Sequence, residues 1–225
     1  SGLSGMAYAS GDVDAIFGGS AETFTRDLQW KSFTPVLMGM SGWSGNARKH
    51  PWWFDEPYRS VNRDYLKLKM RMTPYMYGLA HDAATSGAPL LRALMWDYPQ
   101  DPQAYTEAHK YQFLLGRELL IAPVYRSQAA SRGWRRDIHL PQGRWIDYWD
   151  GRQLQAGAEG RSLDRPVDLA TLPVFVRAGA IIPMYPAMLY DGERPLDEMT
   201  FDLYPQGTSQ YTLYEDDGAT RRYEK

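Results

Sequence analysis

The 225-residue chain contains no cysteine, which excludes disulfides and thiolate metal sites but does not decide the compartment. It also lacks charge of one sign. Its 25 Lys and Arg stand against 27 Asp and Glu, giving a formal net charge of −2 with no basic run. Electrostatics therefore offer no argument for nucleic acid or an anionic membrane as partner. No apolar run approaches the roughly 18 residues of a membrane span. No signal-peptide pattern is present either, although a chain that starts within a larger architecture would show none. Cytoplasmic, periplasmic and secreted locations all stay open. Aromatic residues, by contrast, are plentiful, with 8 Trp and 16 Tyr. Aromatic faces stack on the C–H faces of sugars, but they also fill cores, so this alone decides nothing. A hydrophobic fraction of 44% and a charged fraction of 23% are ordinary for a globular protein of one large or two smaller domains.

The stretch from Gly2 to Phe17 runs through small and apolar residues to Ser10-Gly11 and then places Asp12 and Asp14 two apart. It reads as a strand whose carboxylates share a face and floor a polar pocket. Residues 25–40 have helical spacing (Leu28, Phe33, Leu37), with Pro35 early or at a kink. An irregular aromatic loop over 41–58 is long enough to be functional or a lid. A helix from about Ser60 to Thr85 follows, N-capped by Ser60, kinked at Pro74 and ended by Gly87. From Pro89 the pattern changes to short segments bounded by Gly, Pro or Asp. Strands are expected over 90–95, 118–125, 135–140, 144–149, 174–184, 201–204 and 210–214, with a short helix over 101–115. Such spacing argues for a β-sandwich. Strand followed by helix is the unit of a (β/α) barrel, yet one or two units cannot close one. Glu215-Asp216-Asp217-Gly218 reads as a hairpin turn, with too few spaced oxygen ligands for calcium.

These motifs, in this order, resemble the C-terminal portion of glycoside hydrolase family 31, the retaining α-glucosidases, α-xylosidases and related transglycosylases. The resemblance rests on Gly11-Asp12-Val13, Leu28-Gln29-Trp30, Arg48-Lys49-His50 and Arg71-Met72-Thr73-Pro74-Tyr75-Met76-Tyr77. It continues through Gly87-Ala88-Pro89-Leu90-Leu91-Arg92, Gly116-Arg117-Glu118-Leu119-Leu120-Ile121-Ala122-Pro123, Leu172-Pro173-Val174-Phe175-Val176-Arg177-Ala178-Gly179 and Leu213-Tyr214-Glu215-Asp216-Asp217-Gly218. The fold class it implies is α/β plus all-β. Residues 1–88 are expected to be the C-terminal end of a (β/α)8 TIM barrel, about strands 7 and 8. Residues 89–186 are expected to form a proximal β-sandwich, and 187–225 the beginning of a distal one.

By the same resemblance the nucleophile and acid/base Asp lie upstream of Ser1, so this portion is expected to be inactive alone, to need the remaining barrel as a partner and to be poorly soluble without it. The substrate is expected to be an α-linked oligosaccharide and no cofactor is called for; a homo-oligomer stays open. Asp12 matches the family's Asp beside the sugar pocket, and His50 its hydroxyl-binding His. Phe17 and Trp43 are further candidates for lining the pocket, as are Trp52 and Trp53. Asp14-Ala15-Ile16-Phe17 departs from the family's commoner Gly-Gly-Phe-Phe, which leaves the sugar open. An α-transglycosylase, an α-xylosidase, an α-N-acetylgalactosaminidase and a non-catalytic carbohydrate-binding module are the alternatives. Neither Asp12 with Asp14 nor Asp55 with Glu56 makes a catalytic couple. Retaining chemistry needs carboxyls about 5–5.5 Å apart on opposite sides of the bond, which same-strand or adjacent residues do not provide. His81, His109 and His139 lack metal-ligand spacing and are expected at the surface.

Overall fold

A computed structural model describes residues 2–9, 11–13, 19–39, 50–190 and 192–224. Its first part is helical. Helix α1 (Ala21–Lys31) starts at Ser20, whose hydroxyl accepts from the Thr23 amide at 3.1 Å, and it buries Phe24 and Leu28. Helix α2 (Tyr58–Arg71) is followed at once by α3 (Thr73–Ser86), so the single kinked helix expected over 60–85 is two helices broken at Met72. Pro74 stands in the first turn of α3, where a missing N–H costs nothing. The Ser60 cap is not used. Glu56 accepts from the Ser60 amide at 3.1 Å from outside the helix. Gly87 ends α3 as expected, in the left-handed region at φ 77°.

Among the described residues no strand forms before Asp14: Gly2–Ser4 is a 3-10 turn, and the pairing described there is an isolated parallel bridge between Asp12 and Met38. Parallel partners on either side of α1 are nonetheless the minimal strand–helix–strand arrangement.

The second part is mostly sheet. Six strands, β1 (Leu91–Arg92), β2 (Phe113–Leu115), β3 (Leu119–Ile121), β5 (Gly143–Asp147), β6 (Gln153–Ala156) and β8 (Val174–Arg177), form one antiparallel sheet in the order β1-β2-β3-β8-β5-β6. Two two-stranded sheets accompany it, β4 (Trp134–Leu140) with β7 (Arg161–Pro166) and β9 (Ile181–Met184) with β10 (Thr200–Leu203). Register decides where each face goes. Leu114, Leu120 and Phe175 lie in one row and join Trp145, Ile138 and Leu140 in a core between the large sheet and β4–β7. The next row, Leu115, Leu119 and Val176, faces the other way, into a core shared with Phe24, Leu28, Tyr65, Tyr75 and Leu79 of the helices. The central sheet is thus covered on both faces, which is why β3 is buried throughout.

Several expectations are corrected. The helix expected over 101–115 is two 3-10 turns and β2, after a helical turn α4 (Leu94–Asp97). The strand over 174–184 is divided at Gly179, φ 96°, into β8 and β9. Residues 210–214 pair with no strand among the described residues, and Arg221–Glu224 is a 3-10 turn in place of the second strand expected after Asp216. The Asp216 and Asp217 carboxylates instead accept from backbone amides two and three residues on. His109 and His139 are buried at 8% and 1% exposure, stacked at 5.0 Å, and the His139 Nε2 lies 2.6 Å from the Asp101 carboxylate. They belong to the core edge, not the surface: His109 Nδ1 meets the Asp137 carbonyl and His139 Nε2 the Asp101 carboxylate, while the buried His139 Nδ1 has no hydrogen-bond partner among the described residues.

Candidate functional site

Asp12 is held by its backbone. The Val13 amide donates to the Met38 carbonyl at 2.8 Å, and the Lys31 ammonium donates to the Asp12 carbonyl oxygen. Lys31 is the last residue of α1 and is itself fixed by Asp27, one turn back, at 2.6 Å. With the main chain pinned, the side chain is left to other work. Asp12 Oδ1 is buried and has no hydrogen-bond partner among the described residues. A buried carboxylate oxygen without a donor is costly and calls for a partner.

His50 begins the 3-10 turn Pro51–Trp53. Its ring stacks on Trp52 (centroids 4.7 Å, planes 2° apart) and meets Trp53 edge-on at 4.3 Å. Both tryptophans are well exposed, at 62% and 50%. The turn is anchored from below. Phe54 packs on Phe24 of α1 at 4.6 Å, and the buried Asn62 of α2 donates to the Pro51 carbonyl at 3.2 Å. The Asp12 segment and the His50 turn are therefore fixed to one helix, the first at Lys31 and the second at Phe24 through Phe54, anchor residues two turns or about 10 Å apart along its axis. No hydrogen bond joins them. Phe17 and Trp43, with Asp14 and Ile16, lie outside the described residues. Among the described residues no group of three or more His, Asp or Glu side chains is placed to hold a metal ion.

Sequence reasoning passed over Lys31, Asn62 and Lys69. Lys31 had a signal in its i,i+4 spacing from Asp27. Asn62 had one as a polar residue beside Val61 and Tyr65 on the apolar face of α2. Lys69 donates to the Thr34 carbonyl just ahead of the Met38 bridge, and burial pulls its ammonium down to a pKa of about 8. The helical part is latched to the sheet part by three side chains that reach the 168–172 segment. Arg26 donates to the Asp168 carbonyl at 2.7 Å, Gln29 to Leu169 at 2.7 Å and Tyr65 to Ala170 at 2.7 Å.

Comparison with known proteins matches two consecutive portions of the chain. Residues 1–79 match the glycosyl hydrolases family 31 TIM-barrel domain, and residues 87–182 match the glycosyl hydrolase family 31 C-terminal domain. Alpha-glucosidase 2 of Bacillus thermoamyloliquefaciens is 34% identical over 227 residues, covering 100% of this chain and 27% of its own length. The 1,6-alpha-glucosyltransferase of Sporosarcina globispora is 34% identical over 206 residues, covering 90% of this chain and 15% of its own. Among solved structures, the Flavobacterium johnsoniae family 31 dextranase complexed with isomaltotriose superposes with a TM-score of 0.80 at 34% identity, over 96% of this chain and 26% of that one. The chain thus spans about a quarter or less of the length of these relatives. With both parts matched in order, this chain belongs to glycosyl hydrolase family 31.

Proposed function

We propose that this chain is part of a retaining α-glycoside hydrolase of the α-glucosidase kind and supplies one side of its sugar pocket. The observation that carries the reading is the buried Asp12 Oδ1, which has no donor among the described residues although the backbone around it is pinned on both sides. Such an oxygen accepts charge-assisted hydrogen bonds from sugar hydroxyls. His50 offers ring nitrogens that both donate and accept, and its two tryptophan neighbours fix the ring plane. Phe17 and Trp43 are assigned to the same pocket from the motif match.

In the whole enzyme two Asp residues outside this chain carry the reaction. One attacks the anomeric carbon while the other protonates the leaving oxygen, and the glycosyl-enzyme formed is released to water. Residues 1–88 are then the end of the barrel, 89–186 the proximal sandwich and 187–225 the beginning of the distal one. The oligosaccharide is the substrate and the rest of the barrel the necessary partner. Release to an acceptor sugar is the second reading, favoured by the likeness to a glucosyltransferase.

Proton NMR of the first product formed by the full-length enzyme from an aryl α-glucoside tests the mechanism. The α-anomer should appear first, and the β-anomer first would refute retention. Added acceptor sugar separates hydrolysis from transfer. The 225-residue chain alone should turn over no α-glucoside. Turnover by it would place the catalytic carboxylates inside the chain and overturn their assignment.

A further inference from the structure

A second feature lies on other elements, at the turn α5 (Gln128–Ser131) and the start of β4. Among the described residues, the non-glycine residues in left-handed conformation are Arg132 (φ 53°) and Asp137 (φ 57°). Both line one cleft of about 270 Å3. Between them the pairing of β4 with β7 slips register from Arg135 to Ile138. Strained residues and bulges of this kind persist where the surroundings hold them, and they collect at ligand sites.

The cleft is lined by Arg126, Arg132, Arg135 and Arg136, with Tyr125 and Trp134. The rings position the guanidiniums. Arg135 lies over Tyr125 at 4.9 Å, Arg126 over the same ring at 5.7 Å and Arg136 over Trp134 at 5.7 Å. Arg135 is 2% exposed, yet its hydrogen bonds go only to carbonyl oxygens, of Pro123 at 2.9 Å, Tyr111 at 3.3 Å and Arg136. Among the described residues Arg126, Arg132 and Arg135 form no ion pair, whereas Arg136 pairs with Asp164 at 2.8 Å. Asp137 also lines the cleft. Four guanidiniums thus line the cleft with the Asp137 carboxylate, and Asp164 pairs with Arg136 from outside the lining, in a chain whose net charge is −2.

We propose that this cleft binds a monosaccharide carrying a phosphate or sulfate ester. Planar guanidinium forks match a tetrahedral oxyanion, and Arg126 and Arg132 form neither an ion pair nor a side-chain hydrogen bond among the described residues, while the buried Arg135 adds its charge from behind. The cleft's roughly 270 Å3 lies near the roughly 300 Å3 at which pockets for organic ligands begin, which is room for one sugar ring with its ester. The inference is independent of the hydrolase reading, because none of these residues belongs to the pocket of Asp12 and His50.

Titration calorimetry of the full chain at low ionic strength tests it with four probes: glucose 6-phosphate, glucose 6-sulfate, inorganic phosphate and glucose. Both esters should bind, tighter than inorganic phosphate and more weakly as salt is added, and glucose should not. Whichever ester binds tighter identifies the oxyanion. Arg126→Ala combined with Arg132→Gly should weaken ester binding about tenfold or more with the melting temperature unchanged, since glycine is at home at φ 53°. Arginine labelling by phenylglyoxal, slowed by ester in the parent protein, gives a readout that needs no variant. Binding of glucose as tight as of its esters, inorganic phosphate as tight as either, equal affinity in the variant, or no ester binding with no protection would each overturn the proposal.

Discussion

Replacing Tyr65 by phenylalanine tests the latch that holds α2 to the sheet part. The Tyr65 hydroxyl donates to the Ala170 carbonyl at 2.7 Å and accepts from the Leu172 amide at 2.9 Å. Phenylalanine keeps the ring and its edge contact with Trp149 at 5.9 Å, so only the oxygen is lost. Ala170 is exposed and its carbonyl regains water, but Leu172 is fully buried and its N–H is left without an acceptor. An unsatisfied buried donor costs about 1–3 kcal/mol, so the substitution should destabilise by about 2 kcal/mol. For a chain of this size that lowers the melting temperature by about 4–8 °C. Urea unfolding followed by tryptophan fluorescence should show the midpoint shifted and the slope unchanged. A loss below about 0.5 kcal/mol would mean that the 168–172 segment is not held as described, and the latch argument would fail with it.

Gly160→Ala should cost about 2–4 kcal/mol in the same assay, because Gly160 sits at φ 74°. A Cβ there would lie 2.8 Å from the Leu140 carbonyl oxygen and closer still to the buried His139 ring. For Lys69 the prediction is a pH dependence. Burial lowers its pKa to about 8 in the folded chain against about 10.4 unfolded, so between those values the unfolded state binds more protons. Wild-type stability should therefore rise relative to Lys69→Met as pH climbs from about 8 towards 10.4, and parallel pH profiles would refute the shift.

The sheet part was legible where apolar residues alternate between turn residues. Residues 135–140 and 144–149 correspond to β4 and β5, and Gly87 ends α3 where its lack of a side chain permits a left-handed cap. The strands Gln153–Ala156 and Arg161–Pro166 went unseen because they are edge strands rich in Gln, Arg and Ser, with six of their ten residues exposed. The segment 210–214 alternates like a strand but has no partner among the described residues, and pairing is what periodicity cannot reveal. His139 was misplaced for a similar reason. Its partner Asp101 is 38 residues away in sequence, and only the folded chain brings the two together. At the candidate site the motif match singled out Asp12 and His50, while the side chains that fix them, Lys31 and Phe24, lie on a helix whose packing no local pattern specifies.

The central claim is that Asp12 contributes its carboxylate to the sugar pocket. Asp12→Asn keeps the size of the side chain and the backbone bonds to Lys31 and Met38, removes the charge and turns one acceptor oxygen into an amide donor. Steady-state kinetics of the full-length enzyme on an aryl α-glucoside should show kcat/KM lowered about 10- to 100-fold, as expected for a charged hydrogen bond to substrate, with the melting temperature unchanged. An unchanged kcat/KM would contradict the assignment of Asp12 to the pocket.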